Sequence, residues 1–198
     1  MVLTPSTMLP LGTPLPVFSL EAVANASAAD ALWSSASLGP QPVLVLFLCA
    51  HCPFVKHIEP ELSRLERDYG KRIQIVAISS NSTLTHPQDG PDGLRAQAER
   101  CGWRFPYLFD AEQSVARAFQ AACTPDLFLF GPAAEATGSG GSRPLVYRGQ
   151  LDASRPGNDQ PLDGRDLRAA LDALLAGQAI SPEQTPSIGC NIKWHPSH

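Results

Sequence analysis

Apolar positions follow two rhythms along this chain. Val43–Leu44–Val45–Leu46–Phe47–Leu48 is an unbroken apolar run, which predicts a strand buried on both faces. Past the run the spacing switches to threes and fours. Phe54, Ile58, Leu62, Leu65 and Tyr69 then share one face of a predicted helix. Pro53 suits its first turn, Pro60 is expected to kink it, and Gly70 to end it. Ile73–Gln74–Ile75–Val76–Ala77–Ile78 reads as a second buried strand. Pro91 opens a helix with Leu94, Ala98 and Cys101 on one face, stopped by Gly102. Asp110 and Gln113 form a capping pair for a further helix with Val115 and Phe119 inward. Asp126–Phe130 and Pro144–Arg148 read as strands, and the Gly-, Ala- and Ser-rich linker from Pro132 to Ser142 as a mobile hairpin tip. Leu167, Leu171 and Leu174 mark a last helix, closed by Gly177.

The two ends are less patterned. Pro14–Leu20 suits a short edge strand, where prolines are tolerated, and the Ala-rich stretch Ala22–Trp33 suits a helix. Gly39–Pro42 breaks the chain before the first buried strand, and residues 178–198 are proline-rich with no helical or strand pattern. The order of elements predicts an α/β sandwich whose central β-sheet is mixed, flanked by helices, with irregular N- and C-terminal arms. At 198 residues this is one domain, residues 1–198, with a core over about 14–177 and a tail over 178–198.

Charge and cysteine content narrow the function. A net charge of -4 without a basic cluster argues against nucleic acid or an anionic membrane as partner. No apolar run nears the roughly 20 residues that span a bilayer, and the first residues lack a basic segment followed by an apolar core. The expected location is cytoplasmic. Five cysteines, an odd number, point to buried, catalytic or metal-binding thiols rather than a disulfide framework.

Cys49–Ala50–His51–Cys52 falls where the first buried strand meets the helix. Two thiols at this spacing can close a small ring reversibly, and the helix N-terminus favours thiolate over thiol. His51 is placed to stabilise a Cys49 anion. Two structural cysteines or half of a zinc site would also fit the spacing, although the other cysteines are scattered rather than paired. Cys123–Thr124–Pro125–Asp126 enters a buried strand, so Thr124–Pro125 is a candidate cis bond whose unpaired backbone groups can hold an extended substrate over the thiols. An ordinary trans proline at an edge strand is the plainer alternative.

These residues carry a resemblance. The segments 47–57, 105–110, 123–126, 145–149 and 186–194 are similar to the thioredoxin superfamily, and more closely to its alkyl hydroperoxide reductase/thiol-specific antioxidant (AhpC/TSA) group. The resemblance implies a thioredoxin-like three-layer sandwich. It further implies Cys49 as nucleophile, Cys52 as resolving thiol, and Pro125 as a cis-proline facing them with Thr124 offering backbone bonds to substrate. Thioredoxins proper carry a buried acid six residues before the first cysteine; here that place is Val43. The dipeptide between the cysteines is Ala–His, closer to disulfide isomerases and disulfide-forming oxidases. Pro60 also falls a few residues later than the thioredoxin kink.

The expected function is therefore thiol–disulfide exchange with protein or small-molecule thiols and disulfides, without a cofactor. The rival is a thiol peroxidase, since peroxiredoxins place a threonine three residues before a peroxide-attacking cysteine that precedes proline. Cys52–Pro53 matches that cysteine, and Cys49 stands in the threonine's place. A third reading joins Cys49, Cys52, Cys123 and His57 in a copper or zinc site. Cys123 is a candidate additional redox thiol or a small core residue. Cys190 is a candidate resolver if the tail folds back, or else a docked tail residue. Arg104 and Arg148 read as solvated or salt-bridging charges, and Trp33 and Trp103 as core.

Overall fold

The computed structural model describes residues 3–25, 32–133 and 142–196. Its strands are β1 (Leu3–Pro5), β2 (Ser19–Ala24), β3 (Trp33–Ser34), β4 (Val43–Phe47), β5 (Gln74–Ser79), β6 (Tyr107–Phe109), β7 (Cys123–Thr124), β8 (Asp126–Phe130), β9 (Leu145–Arg148) and β10 (Ile188–Asn191). Its α-helices are α1 (Pro53–Tyr69), α2 (Pro91–Cys101), α3 (Ser114–Ala118) and α4 (Arg165–Leu175). A seven-stranded sheet runs β3-β2-β6-β5-β4-β8-β9. β4 is parallel to β5 and antiparallel to β8, and β5 is parallel to β6, so the sheet is mixed. This is the mixed α/β sandwich that the pattern predicts and the thioredoxin-like fold that the resemblance implies.

Both faces of β4 are covered, which explains its unbroken apolar run. Leu44 and Leu46 face a core built with Val55, Ile58, Leu62 and Leu65 of α1, Leu94 and Ala98 of α2, and Leu167 and Leu171 of α4. Val43, Val45 and Phe47 face the other way, into Phe119, Phe128 and Phe130 with Val115 and Ala116 of α3. Pro53 opens α1 and Pro60 stands inside it; Gly102 ends α2 with φ at 67°, where a glycine costs least. Asp110 accepts from the backbone N–H of Val115 (3.3 Å) and Ala116 (2.9 Å) at the start of α3, but Gln113 is not its capping partner, because its amide donates to the Ser80 (2.7 Å) and Lys193 (2.8 Å) carbonyls.

Four further expectations are corrected. The Ala-rich stretch after Ala22 continues a strand to Ala24, paired with β6, because a partner edge outweighs a weak helix propensity; residues 26–31 lie outside the described residues. Pro14 makes only an isolated bridge to Pro144, and the strand in this region begins at Ser19. A strand, β6, lies between α2 and α3, too short to show a period. The termini are not wholly irregular: β1, β10 and β7 form a three-stranded antiparallel sheet. The expected hairpin tip lies mostly outside the described residues, which omit 134–141.

Candidate active site

β4 delivers Cys49 and Cys52 to the start of α1, with Cys52 as the residue flanking its first turn. Thr124–Pro125 is a cis peptide and faces them. Thr124 Oγ1 lies 3.3 Å from Cys49 Sγ, and the Thr124 carbonyl oxygen lies 3.3 Å from Cys52 Sγ. The structure thus brings together four residues expected from the sequence. Both cysteines are 0% exposed.

His51 contacts a partner that sequence reasoning did not single out. Its Nδ1 lies 2.5 Å from Oδ2 of Asp89, and since a carboxylate only accepts, Nδ1 carries the proton. The other oxygen of Asp89 accepts from the backbone N–H of Ala50 (2.9 Å) and His51 (3.1 Å), so one buried carboxylate shapes the whole Cys–Ala–His–Cys turn. Asn81 holds it in place. Its Nδ2 donates to Asp89 (2.8 Å), while its Oδ1 accepts from the N–H of Lys193 in the tail (2.8 Å). Burial favours the neutral form of Asp89, but the bonds from His51, Asn81 and the turn outweigh it and keep the carboxyl below its ordinary range. Gln97 braces the turn from α2, donating to the Cys49 carbonyl (3.3 Å) and to Glu59 (2.9 Å) while accepting from Tyr107 (3.0 Å).

The two thiols are pushed apart electrostatically. Cys52 receives a hydrogen bond from the Cys49 thiol; burial opposes ionisation, but further bonds from the Cys190 thiol and from the N–H groups of Val55 and Cys190 bring Cys52 down to about 5. Cys49 moves the opposite way, raised by its bond to Cys52, by burial and by the charge of Asp89. Of the two thiols, the surroundings favour ionisation at Cys52 and oppose it at Cys49.

Cys190 stands on β10, and its Sγ lies 2.6 Å from Cys52 Sγ, so the tail does fold back over the site. Cys123 packs differently. Its Sγ contacts the Pro125 carbonyl at 3.5 Å, and burial with the neighbouring Asp126 raises its pKa strongly, which disfavours its thiolate. His57 is directed to Ser154 Oγ (2.7 Å), which removes it from the expected metal set. Among the described residues, three candidate ligands do converge: atoms of Cys49, His51 and Asp89 lie within 4.8 Å of one another. Asp89 already accepts four hydrogen bonds there, which a cation would have to displace. Arg148 is not a carboxylate partner; it donates to the Leu9 carbonyl (2.9 Å) and to Gln184 (2.8 Å), tying both arms to β9. A cavity of about 760 Å³ lined by Trp33, Glu66, Gln74 and Arg104 holds none of these groups.

Comparison with known proteins gives the family. Residues 11–136, spanning β2 through β8 and so the whole thiol turn, match the AhpC/TSA family. The chain belongs to the AhpC/TSA family. Two crystal structures align with this AhpC/TSA protein over its length. An uncharacterized conserved protein from Geobacillus kaustophilus is 43% identical, with TM-score 0.89 over 100% of this chain and 99% of that one. A hypothetical protein from Sinorhizobium meliloti is 40% identical, with TM-score 0.87 over 98% of this chain and 100% of that one. More remotely, a secreted Mycobacterium tuberculosis disulfide oxidoreductase homologous to E. coli DsbE shares the fold at 16% identity, with TM-score 0.54 over 79% of this chain and 96% of that one. No curated protein matches the chain.

Proposed function

We propose that this AhpC/TSA protein catalyses thiol–disulfide exchange through a Cys49–Cys52 dithiol/disulfide couple. The observation that carries the reading is the placing of two buried sulfurs at the start of α1, each within 3.3 Å of Thr124. Cys49 gives up its proton beside the N-terminus of α1, whose free N–H groups favour a thiolate. Cys49 then attacks a substrate disulfide; the substrate's second sulfur leaves with the electron pair and takes up a proton. Cys52, kept ionisable by its remaining donors, attacks Cys49 in the mixed disulfide, closes the internal disulfide and expels the reduced substrate. His51 and Asp89 hold the turn, while the Thr124 backbone, expected from the sequence to be unpaired and open to substrate, is instead covered by the arm strand β10, where Cys190 lies opposite Thr124. A Cys52→Ser variant is expected to accumulate a stable glutathione adduct on Cys49 after exposure to oxidised glutathione, read by intact mass. No adduct, with Cys49 still open to alkylation, would sink the reading.

One observation favours a second reading. Cys52 directly precedes Pro53 and its donors lower its pKa, which suits a peroxide-attacking thiol. Stopped-flow mixing with hydrogen peroxide separates the two, and a rate equal to that of an ordinary thiol removes the peroxidase.

A further inference from the structure

Cys190 reaches the site by backbone pairing as well as by side-chain proximity. β10 runs antiparallel to β7 with Cys190 opposite Thr124 and Asn191 opposite Cys123, so the arm occupies the edge beside the cis-proline. Gly189 makes this approach possible. A Cβ there would lie 2.1 Å from the Thr124 oxygen and 3.1 Å from Pro125 Cδ, so any other residue would push the arm away. On its far side β10 is held by β1, with Leu3 opposite Cys190, and the N–H of Ile192 donates to the Ala122 carbonyl (3.0 Å). The result is a thiol 1% exposed and 2.6 Å from Cys52, which forms no covalent bond in the exchange described so far.

We propose that Cys190 is a third redox thiol, which takes Cys52 from Cys49 so that the oxidised protein holds a Cys52–Cys190 disulfide in exchange with Cys49–Cys52. The proposal rests on the couple proposed above. The Cys190 thiolate attacks Cys52 Sγ of the Cys49–Cys52 disulfide. The Cys52–Cys190 bond forms as the Cys49–Cys52 bond breaks, and the electron pair leaves on Cys49, which takes up the proton that Cys190 released. One disulfide and one thiol are present before and after, so no outside oxidant or reductant is consumed. In the product Cys49 is a thiol again, and the arm is fastened covalently across Thr124–Pro125.

Disulfide mapping of the full chain tests this. The protein is equilibrated with oxidised glutathione, quenched in acid, alkylated and digested with trypsin without reduction. No Lys or Arg precedes Lys56, so Cys49 and Cys52 share peptide 1–56, while Cys190 lies in peptide 169–193. Expected are an internal link in 1–56 and, beside it, 1–56 joined to 169–193 through Cys52. In Cys49→Ser the joined peptide should rise several-fold, while Cys190→Ser should keep only the internal link. If wild type shows the internal link alone and Cys49→Ser yields only glutathione adducts, Cys190 is not a redox thiol. If no internal link forms even in Cys190→Ser, the Cys49–Cys52 couple itself fails, whatever Cys190 does.

Discussion

Removing the charge of Asp89 is expected to make Cys49 easier to ionise, since a nearby anion is one reason its thiol is held high. Asp89→Asn should therefore shift the pH profile of Cys49 alkylation to lower pH, measured by mass-resolved iodoacetamide rates. The same change weakens a buried bond network, so a stability loss of about 1–3 kcal/mol should accompany it. Cys190→Ala removes a donor from Cys52 and should raise that thiol above about 5, read from thiolate absorbance. Asp126 behaves in the opposite sense to an ordinary acid. It is fully buried, neither oxygen has a well-formed hydrogen-bond partner, and burial raises it to about 7 despite nearby Ser6 and the Ala122 and Leu127 N–H groups. A raised carboxyl favours the folded state below its unfolded pKa, and that contribution is lost as pH rises through about 7. Asp126→Asn should flatten the fall in thermal midpoint between about pH 4 and about pH 7; an unchanged slope would show that Asp126 ionises without cost.

At the scale of elements, the arm strand β10 offers the sharpest handle. Gly189→Ala should lift it from β7, and alkylation of Cys190 under native conditions should then become much faster, by roughly ten-fold or more if most molecules lose the docked arm. Long elements with their own period are legible in the amino-acid pattern. α1 shows itself through Phe54, Ile58, Leu62 and Leu65, and β4 through an apolar run that only a doubly covered strand requires. β10 is not legible in this way. Ile188–Gly189–Cys190–Asn191 has one exposed and one half-buried residue and becomes a strand only because β1 and β7 offer edges. Ala22–Ala24 misleads for a similar reason, its composition favouring a helix while the free edge of β6 makes it a strand. Asp89 lies in a loop that carries only turn residues, and its link to His51 exists through a tertiary approach across 38 positions. No local pattern encodes such a contact.

For the molecule as a whole, the arms complete what the central sheet leaves open. The sheet with α1 supplies Cys49 and Cys52, while the three-stranded terminal sheet covers them, so that neither sulfur is exposed. Leu62→Ala, deep between α1 and the sheet, should cost about 2–5 kcal/mol in urea unfolding and leave the thiol chemistry in place. Asn81 has a different consequence. One end of its amide holds the carboxylate under the thiol turn and the other holds the tail at Lys193, so a single planar group reports each event to the other. Linkage then works in both directions: by whatever factor oxidising the thiols changes the docking of the tail, docking the tail changes the ease of oxidation. Amide hydrogen exchange at residues 187–193 should differ between reduced and oxidised protein, and Asn81→Ala should shrink that difference. The tail would then act as an allosteric effector carried within the chain.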